Sequence, residues 1–464
     1  MDHVSRWTAR APGRLDVMGG IADYSGSLVL QWPIRESTRV SLQLQPAPVL
    51  RVVSRSRGRA DRAVDVPMAL VNDAAPPYAA IRGWFAADPD RHWAAYVAGV
   101  LAVLAGELGA RLPAGAEVDV TSEVPEGKGV SSSAALEAAT MGALLAALAD
   151  CGGRDLAASL LADPRRQALL CQRAENFVVG AACGVMDQMA AICGRAGHLM
   201  ALLCQPAELR PPLRLPDGLA VFGIDSGIRH AVTGSDYTGV RIGAFMGYRI
   251  LADLAGLTAR PGLRAGHVVI DDPRWHGYLA NVGSLGFREY EARVPGTLSG
   301  SVFLQRYGGT TDLATTVDPG RCYAVWTPTA HPVYEHERVA EWAAILADDD
   351  GPPDRLRERA ERLGALMYQS HASYSACGLG SEGTDALVGL ARAAGPAQGL
   401  YGAKITGGGS GGTVAVLARA DAADAVRRVA AEYAERSGRE PYVFEGSSDG
   451  ASAGTAPGSE RIET

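Results

Sequence analysis

Lysines, cysteine pairs and long apolar runs are scarce or absent in this chain. Only two of its 44 basic residues are lysines, Lys128 and Lys404, and its 51 acidic residues give a net charge of −7. A mildly acidic chain without a basic block argues against binding to nucleic acids or anionic membranes. We find no run of about 18 apolar residues that would predict a transmembrane helix. The first residues also lack the apolar core of a signal peptide.

The cysteines and histidines do not form a recognisable pattern. The seven cysteines are odd in number and include no C-x-x-C pair, which predicts free thiols in a reducing compartment. Nine scattered histidines without an H-E-x-x-H motif argue against a His/Cys metal centre. We therefore expect a cytoplasmic protein. Its partner is expected to be a small-molecule substrate, and its state a monomer or a weak homodimer.

The length of 464 residues indicates two or three domains at roughly 100–200 residues each. Strand and helix patterns are mixed without regular βαβ alternation, which favours an α+β fold. Four prolines fall within residues 205–218, so we place a domain boundary there and predict domains at 1–209 and 210–446. Residues 447–464 are small and polar, which predicts a disordered tail.

Apolar periodicity locates the main elements. Strands are predicted at 7–10, 28–34, 39–45, 117–121, 219–224 and 414–417. Helices are predicted at 92–108 (amphipathic), 134–148, 164–174, 239–254, 355–370, 383–394 and 421–436. The polar, Arg-rich stretch 54–65 is interpreted as a solvated loop or an edge hairpin.

The segment 125–135, PEGKGVSSSAA, lies between a predicted strand and a predicted helix. Its glycines let the backbone approach an anion, and Ser131–Ser133 can cap a helix whose positive end then faces the ligand. It lacks the G-x-x-x-x-G-K-[ST] pattern of a Walker A loop. The segment predicts a phosphate site; the alternative is a Ser-capped helix after a tight turn.

A second segment, 404–413, contains five glycines within six positions. It formally matches G-x-G-x-x-G, but a strand follows it where a dinucleotide-binding loop would open a helix. The glycines indicate close backbone approach, with a flexible hairpin as the alternative. Because both lysines lie beside these two loops, we interpret them as contacts for a polyanion.

A third segment, 11–24, offers charged residues around a glycine pair.

In their order and spacing, the three segments resemble the signature of the GHMP small-molecule kinases, and within that family the galactokinase branch. That branch has an APGR segment followed by an acidic-Tyr pair, here Asp23-Tyr24, a P-x-G-x-G-[LV]-S-S-S-A phosphate loop and a T-G-G-G-x-G-G loop. Two further stretches fit, namely 172–175 with 183–188, and 235–237. The resemblance covers about 6–446 and implies a two-domain α+β fold with the active site in the cleft between the domains.

The resemblance also implies roles for individual residues. ATP would be bound by Gly127, Lys128, Gly129, Val130, Ser131, Ser132, Ser133, Gly408 and Gly409. Mg²⁺ would be bound by Ser133 and Glu175. The sugar would be bound by Arg14, Asp23, Tyr24, Gly184, Asp187 and Tyr237. Asp187 would act as the general base and Arg14 would keep it ionised and stabilise the transferring phosphoryl group. His230, His331 and His336 are interpreted as structural.

One departure from the galactokinase pattern concerns the sugar. Galactokinases read G-E-H-T-D-Y where this chain has Gly19-Gly20-Ile21-Ala22-Asp23-Tyr24, and the missing acidic residue and histidine hold the hydroxymethyl arm of galactose. L-arabinose lacks that arm. The amino-acid sequences of the motifs are also similar to those in the kinase domain of plant-type L-arabinokinases. We expect an L-arabinose 1-kinase. The alternatives are a kinase of galactose or a galactose-like sugar, and a non-catalytic sugar and ATP sensor.

Overall fold

The structure, a computed structural model, describes residues 5–55, 61–72, 77–229, 235–348, 355–452 and 459–461. Its strands are β1 (Ser5–Met18), β2 (Leu28–Gln45), β3 (Val49–Arg55), β4 (Arg62–Pro67), β5 (Gly115–Ser122), β6 (His198–Leu203), β7 (Glu208–Leu209), β8 (Leu213–Arg214), β9 (Leu219–Asp225), β10 (Thr258–Pro261), β11 (Gly266–Asp271), β12 (Thr297–Ser299), β13 (Gly309–Thr310), β14 (Cys322–Ala324), β15 (Leu400–Ile405), β16 (Thr413–Arg419), β17 (Val443–Glu445) and β18 (Ser459–Arg461).

The α-helices are α1 (Met68–Val71), α2 (Tyr78–Ala86), α3 (Ala95–Leu108), α4 (Ser132–Asp150), α5 (Arg154–Leu161), α6 (Pro164–Arg173), α7 (Met186–Cys193), α8 (Ser235–Leu254), α9 (Gly283–Arg288), α10 (Gly300–Tyr307), α11 (Trp326–Ala347), α12 (Leu356–Ala376), α13 (Glu382–Ala394) and α14 (Ala423–Ser437). The mixture of sheets and helices confirms the predicted α+β class.

The N-terminal half is built on a sheet in the order β18-β1-β2-β5-β3-β4, with β6 also pairing β2. β2 runs without a break through 35–38, where a gap between two strands was predicted. The polar residues there continue the strand because they have partners: Glu36 accepts a hydrogen bond from Tyr442 at 2.8 Å and Thr38 bonds Ser122 at 2.8 Å. β3 and β4 form the expected edge hairpin, and its residues 56–60 lie outside the described ranges.

Two apolar helices follow the sheet in the packing: α4 packs against β1 and β2, and α3 packs against α4. α3 was predicted to be amphipathic but is buried on nearly all sides from Ala95 to Ala105, because other helices cover its outer face. α4 is long and apolar enough to span a membrane by composition, yet 72% of that stretch is buried inside the fold. Its alanines and leucines form part of the main core, and its first residues face the cleft described below.

The C-terminal half contains a sheet in the order β15-β16-β9-β17, with α12, α13 and α14 packed on it. A smaller module, carrying β10–β14 with α9 and α10, packs against α8 and the start of α11 around Phe287 and Phe303. Its contacts with α8 place it next to one end of the cleft described below.

A large apolar cluster joins the two halves, and a smaller one around Ile21 and Tyr374 joins them as well. The large cluster brings Leu15 and Trp32 of the first half against Trp342 and Leu417 of the second. Such a shared core holds the cleft between the halves in a fixed geometry, because separating them would expose these side chains to water.

The prediction of a disordered tail is wrong for the described part of 447–464. Ser447 and Asp449 accept hydrogen bonds from the backbone N–H groups of Gly197 and Ala196 at 2.8 and 2.9 Å. The backbone of 450–452 donates to carbonyl groups at the end of α7, and β18 pairs with β1. The small residues that suggested disorder allow close packing here: a Cβ at Gly450 would lie 2.6 Å from a carbonyl oxygen of α7.

Candidate active site

A cleft of about 680 Å³, partly open to solvent, lies between the two halves. It is lined by Arg14, Gly20, Ile21, Asp23, Gly127, Gly129, Ser131, Ser132, Ser133, Glu175, Ala182, Cys183, Gly184, Met186, Asp187, Tyr237, Gly407 and Gly408. The segments that the sequence singled out therefore meet in one place.

One end of the cleft is formed by the turn that precedes α4. Gly127, Gly129 and Ser131 all have left-handed backbone conformations, with φ of 71°, 70° and 61°, which curl the chain around the start of the helix. Ser131 was predicted to cap α4, but its side chain makes no capping hydrogen bond. Its hydroxyl is buried and has no partner among the described residues. An orphaned hydroxyl beside the free N–H groups of a helix start is well suited to an anion.

The loop 406–412 packs directly on this turn. A Cβ at Gly407 would lie 2.7 Å from the Gly129 carbonyl oxygen, and one at Gly412 would lie 2.7 Å from the Lys128 carbonyl oxygen. The hydroxyl of Thr413 donates to that same Lys128 oxygen at 2.8 Å. The glycines are needed because two backbones meet here, which excludes the flexible hairpin.

The two lysines beside the loops have protein partners. The ammonium of Lys128 lies 2.7 Å from a carboxylate oxygen of Asp225. Lys404 is completely buried, with its Nζ 2.5 Å from Oδ2 of Asp16 and 2.8 Å from the Ile405 carbonyl oxygen. The interpretation of Lys404 as a polyanion contact is therefore wrong, because its charge is neutralised inside the protein. The ion pair instead ties β15 to β1.

An arginine and a carboxylate meet at the centre of the cleft. Nε and one terminal nitrogen of Arg14 donate to Oδ1 of Asp187 at 3.0 and 2.8 Å, and the other terminal nitrogen donates to the Gly129 carbonyl oxygen at 2.7 Å. Arg14 is almost fully buried, whereas the Asp187 side chain retains 22% exposure. The carboxylate is thus oriented by a cation and remains accessible from the cleft.

A second carboxylate, Glu175, lines the cleft near Ser133. It accepts hydrogen bonds from Gln188 at 2.6 Å and from the thiol of Cys183 at 3.3 Å. Gln188 also donates to the buried Glu137 at 3.0 Å. Burial, reinforced by the negative charge of Asp187, raises the pKa of Glu175 to about 7.

Glu175 and the Ser133 hydroxyl present hard oxygen atoms of the kind that bind Mg²⁺. No group of three or more His, Cys, Asp or Glu side chains suited to a metal occurs in the described ranges. One carboxylate and one hydroxyl fit Mg²⁺, which keeps several waters and relies on phosphate oxygens. A cation here would also relieve the cost of a buried carboxylate.

The opposite end of the cleft is formed around Asp23. Its Oδ1 accepts a hydrogen bond from the Tyr24 N–H at 2.6 Å. A Cβ at position 184 would overlap the Asp23 carboxylate, so Gly184 is required there. Burial and the nearby charge of Asp187 raise the pKa of Asp23 to about 7, while Arg241 acts in the opposite direction.

Arg241, on α8, is a residue that the sequence analysis missed. Its guanidinium forms two hydrogen bonds to Asp312 at 2.8 and 2.9 Å, and it lies 5.1 Å from the centre of the Tyr24 ring. Asp312 comes from the small module of the second half. The only available signal was the arginine four residues after Tyr237, because nothing in the sequence connects it to Asp312.

Twelve of the sixteen predicted site residues line the cleft: Arg14, Asp23, Gly127, Gly129, Ser131, Ser132, Ser133, Glu175, Gly184, Asp187, Tyr237 and Gly408. The other four are all described but do not line it. Val130 is buried in the core between the halves. Tyr24 packs edge-on against Tyr237. A Cβ at Gly409 would contact Leu379. Lys128 bonds Asp225 as above.

Of the three histidines interpreted as structural, the two that are described have protein partners. His331 bonds Ser373 at 2.7 Å, and His336 accepts a hydrogen bond from the Leu28 N–H at 2.9 Å. His230 lies outside the described ranges.

A helix start suited to an anion, a carboxylate held by an arginine and a second acidic pocket lie along one cleft, an arrangement that fits a small-molecule kinase. Comparison with known families agrees. The family models "GHMP kinases N terminal domain" and "GHMP kinases C terminal" match residues 95–195 and 354–435. A galactokinase of Chloroflexus aggregans is 32% identical over 93% of this chain and 89% of its own length. The chain belongs to the GHMP kinase family.

Two other comparisons refine this assignment. An L-arabinokinase of Arabidopsis thaliana is 42% identical over 96% of this chain, which spans 46% of that protein's length. The crystal structure of Lactococcus lactis galactokinase complexed with galactose superposes with a TM-score of 0.64, covering 98% of this chain and 95% of that one at 20% identity. The structural likeness confirms the predicted two-domain fold.

Proposed function

We propose that this chain is an ATP-dependent sugar 1-kinase that converts L-arabinose to L-arabinose 1-phosphate. The observation that carries the proposal is the position of Asp187. Its carboxylate, held by Arg14, lies between the turn at the start of α4 and the pocket around Asp23. A hydroxyl bound beside Asp23 would face a phosphate bound at that turn.

In this arrangement Asp187 accepts the proton of the anomeric hydroxyl as that oxygen attacks the terminal phosphate of ATP. Arg14 orients the carboxylate by binding Oδ1, and its charge stabilises the negative charge that develops on the transferring group. Because Arg14 also binds the Gly129 carbonyl oxygen at 2.7 Å, it fixes the base relative to the phosphate loop.

The phosphates of ATP would be bound by the N–H groups at the start of α4 and by the Ser131 hydroxyl, which lacks a partner in the described part of the chain. Lys128, next to this turn, and Gly408 and Gly409, in the adjoining loop, would complete the nucleotide site. Ser133 and Glu175 would hold Mg²⁺. The ion, when bound, supplies positive charge to the phosphate oxygens.

The sugar would be bound by Asp23, whose carboxylate can accept two hydroxyl hydrogens at once. Tyr237 lines the same pocket and is supported from behind by Tyr24, with ring centres 6.0 Å apart. Gly20 and Ile21, in place of polar residues, favour a sugar without a hydroxymethyl arm. The similarity to the Arabidopsis L-arabinokinase points to the same sugar.

We further propose that the protein works in the cytoplasm as a monomer or weak homodimer. Its seven cysteines are all free, which suits a reducing compartment.

The proposal is tested by measuring ATP consumption with L-arabinose, D-galactose, D-glucuronate and D-fucose as separate acceptors. We expect kcat/KM to favour L-arabinose over D-galactose by at least about tenfold, equivalent to about 1.4 kcal/mol. Equal or better turnover of D-galactose would assign the chain as a galactokinase, the function of several of its relatives. Sugar binding without any turnover would identify a sensor.

A further inference from the structure

The turn at Gly19–Ile21 is held by side chains from distant parts of the chain. The Gly19 N–H donates to Glu335 on α11 at 3.1 Å, and the Gly20 N–H donates to Asp16 on β1 at 2.9 Å. The Ile21 N–H donates to the hydroxyl of Tyr374 on α12 at 2.8 Å. Three consecutive N–H groups are thus fixed, which sets the position of the wall that Gly20 and Ile21 form in the cleft.

Tyr374 lies directly behind Gly20. A Cβ added to Gly20 would overlap the phenol oxygen of Tyr374 and would lie 2.6 Å from its Cζ. The space that a side chain at position 20 would need is therefore filled by the tip of this tyrosine. Gly20 is required here both by that overlap and by its left-handed φ of 37°.

The tyrosine cannot easily turn away. It is completely buried, with the His331 ring packed edge-on at 5.2 Å and the Lys404 ammonium 4.9 Å from its ring centre. Its hydroxyl donates to the Gly407 carbonyl oxygen, with the two oxygens 3.2 Å apart, and also lies 3.5 Å from Oδ2 of Asp16. The phenol is thus already bonded on both sides, to Ile21 and to Gly407.

We propose that Tyr374 is a specificity-determining residue, which closes the wall of the sugar pocket beside Gly20 and so excludes a sugar with an exocyclic hydroxymethyl arm. This inference rests on the proposed sugar kinase function. Loss of a polar side chain at position 20 alone would leave a gap into which such an arm could fit. Tyr374 fills that gap and offers no free hydrogen to the arm.

The test compares two substitutions of this residue. Tyr374→Phe removes the hydrogen bond to Ile21 and keeps the ring, while Tyr374→Leu opens the space behind Gly20. For each variant, kcat/KM is measured with L-arabinose and D-galactose, and the ratio of the two is compared with that of the unmodified chain. Tyr368→Phe is the matched control, because Tyr368 lies on the same helix and packs against Arg392, away from the cleft.

We expect the ratio to move toward D-galactose by at least about threefold in Tyr374→Phe and about tenfold in Tyr374→Leu, with no change in the control. Because Tyr374 also contacts Gly407, the KM for ATP can change, but it changes equally for both sugars and cancels in the ratio. A proportional loss with both sugars in both variants would show a structural role only and would overturn the proposal.

A second experiment compares single and double substitutions at Gly20 and Tyr374, so its result does not depend on the stability of one variant. Gly20→Ala alone should strongly weaken binding of L-arabinose, measured by calorimetric titration, because the new Cβ overlaps the tyrosine. Combining Gly20→Ala with Tyr374→Leu should recover at least about tenfold in affinity. Purely additive effects of the two substitutions would contradict the proposal.

The proposed function is tested separately, by the activity of the unmodified chain. Absence of turnover there, or a preference for D-galactose, would overturn the L-arabinose 1-kinase assignment. The proposal for Tyr374 can still be tested in that case. The test compares the ratio of the affinities for the two sugars in the unmodified chain with the same ratio in the Tyr374 variants. If that ratio stays within about twofold in both variants, the wall proposal is wrong whichever sugar is preferred.

Discussion

Arg14 directs two of its hydrogen bonds to a single oxygen of Asp187, Oδ1, at 2.8 and 3.0 Å. The other oxygen, Oδ2, receives no hydrogen bond from the described residues. The arginine therefore orients the carboxylate without occupying both of its oxygens. Oδ1 therefore holds the carboxylate in place, and Oδ2 is available to accept a proton.

This geometry predicts the effect of Asp187→Asn. The amide preserves the shape but cannot take a proton, so kcat should fall by about 10²–10⁴-fold. Protection of the folded protein by ATP against thermal unfolding should persist. Asp424→Asn, at an exposed ion pair with Arg427, is the control and should keep normal turnover. Wild-type-like turnover of Asp187→Asn would remove this residue from the role of base.

The phosphate loop can be tested with a pair of glycines in nearly the same conformation. Gly129 has a φ of 70° and Gly109, at the exposed end of α3, has a φ of 66°. An alanine at either position bears the same left-handed strain of about 1–2 kcal/mol. Only Gly129→Ala should also raise the KM for ATP, by about tenfold, because its Cβ would lie 3.3 Å from the Thr406 carbonyl oxygen in the facing loop.

Two results would count against this assignment of the loop. One is an equal change in the KM for ATP in both glycine variants. The other is a selective rise in the KM for the sugar in Gly129→Ala.

The raised pKa of Asp23, about 7, predicts a pH dependence of sugar binding. Asp23 must be ionised to accept hydrogen bonds from two hydroxyl groups. As the pH falls through 7 the carboxyl group becomes protonated, so the KM for the sugar should rise, approaching about tenfold per pH unit well below the pKa. Above pH 8 the KM should be constant.

Asp23→Asn should bind the sugar weakly and lose this pH dependence. Glu175 also has a pKa near 7, but its titration should affect the KM for ATP rather than that for the sugar. A sugar KM that does not change between pH 6 and pH 8 would exclude ionised Asp23 as the sugar ligand.

The buried pair of Lys404 and Asp16 predicts a large effect on stability. Lys404→Met would leave the Asp16 carboxylate without a cation in a fully buried site, and should lower the free energy of unfolding by about 3–5 kcal/mol. Arg427→Met, at an exposed pair, should lower it by less than about 1 kcal/mol. Urea unfolding of both variants measures the difference. If both variants lost a similar amount of unfolding free energy, the buried ammonium would not be needed to stabilise the Asp16 carboxylate.

The features that could be predicted from the sequence are those determined by residues adjacent in the chain. α4 and the turn before it combine strong helix formers with glycines and serines in one segment, so local preferences were sufficient. The predictions of an amphipathic α3 and, for its described part, of a disordered tail failed for the opposite reason. What covers α3 and the tail comes from distant segments, and composition carries no information about a partner.

The same limit applies to the site. Lys404 and Asp16 are 388 residues apart in sequence, and Tyr374 and Ile21 are 353 apart. A lysine beside a glycine-rich loop suggests an anion in solution, and only the fold shows that its anion is a buried aspartate. The departure at Gly20 was visible in the sequence, but whether it left a gap or a closed wall depended on Tyr374.

The clamp formed by residues 447–452 on the end of α7 affects how the protein is made. Its bonds to Ala196 and Gly197 join residues 253 and 250 positions apart. At a synthesis rate of roughly 5–20 residues per second, the ribosome needs on the order of 10–50 s between these segments. During that interval the helix that carries Asp187 lacks its clamp. The clamp on the helix that carries Asp187, the residue we propose as the base, is therefore completed late in the synthesis of the chain.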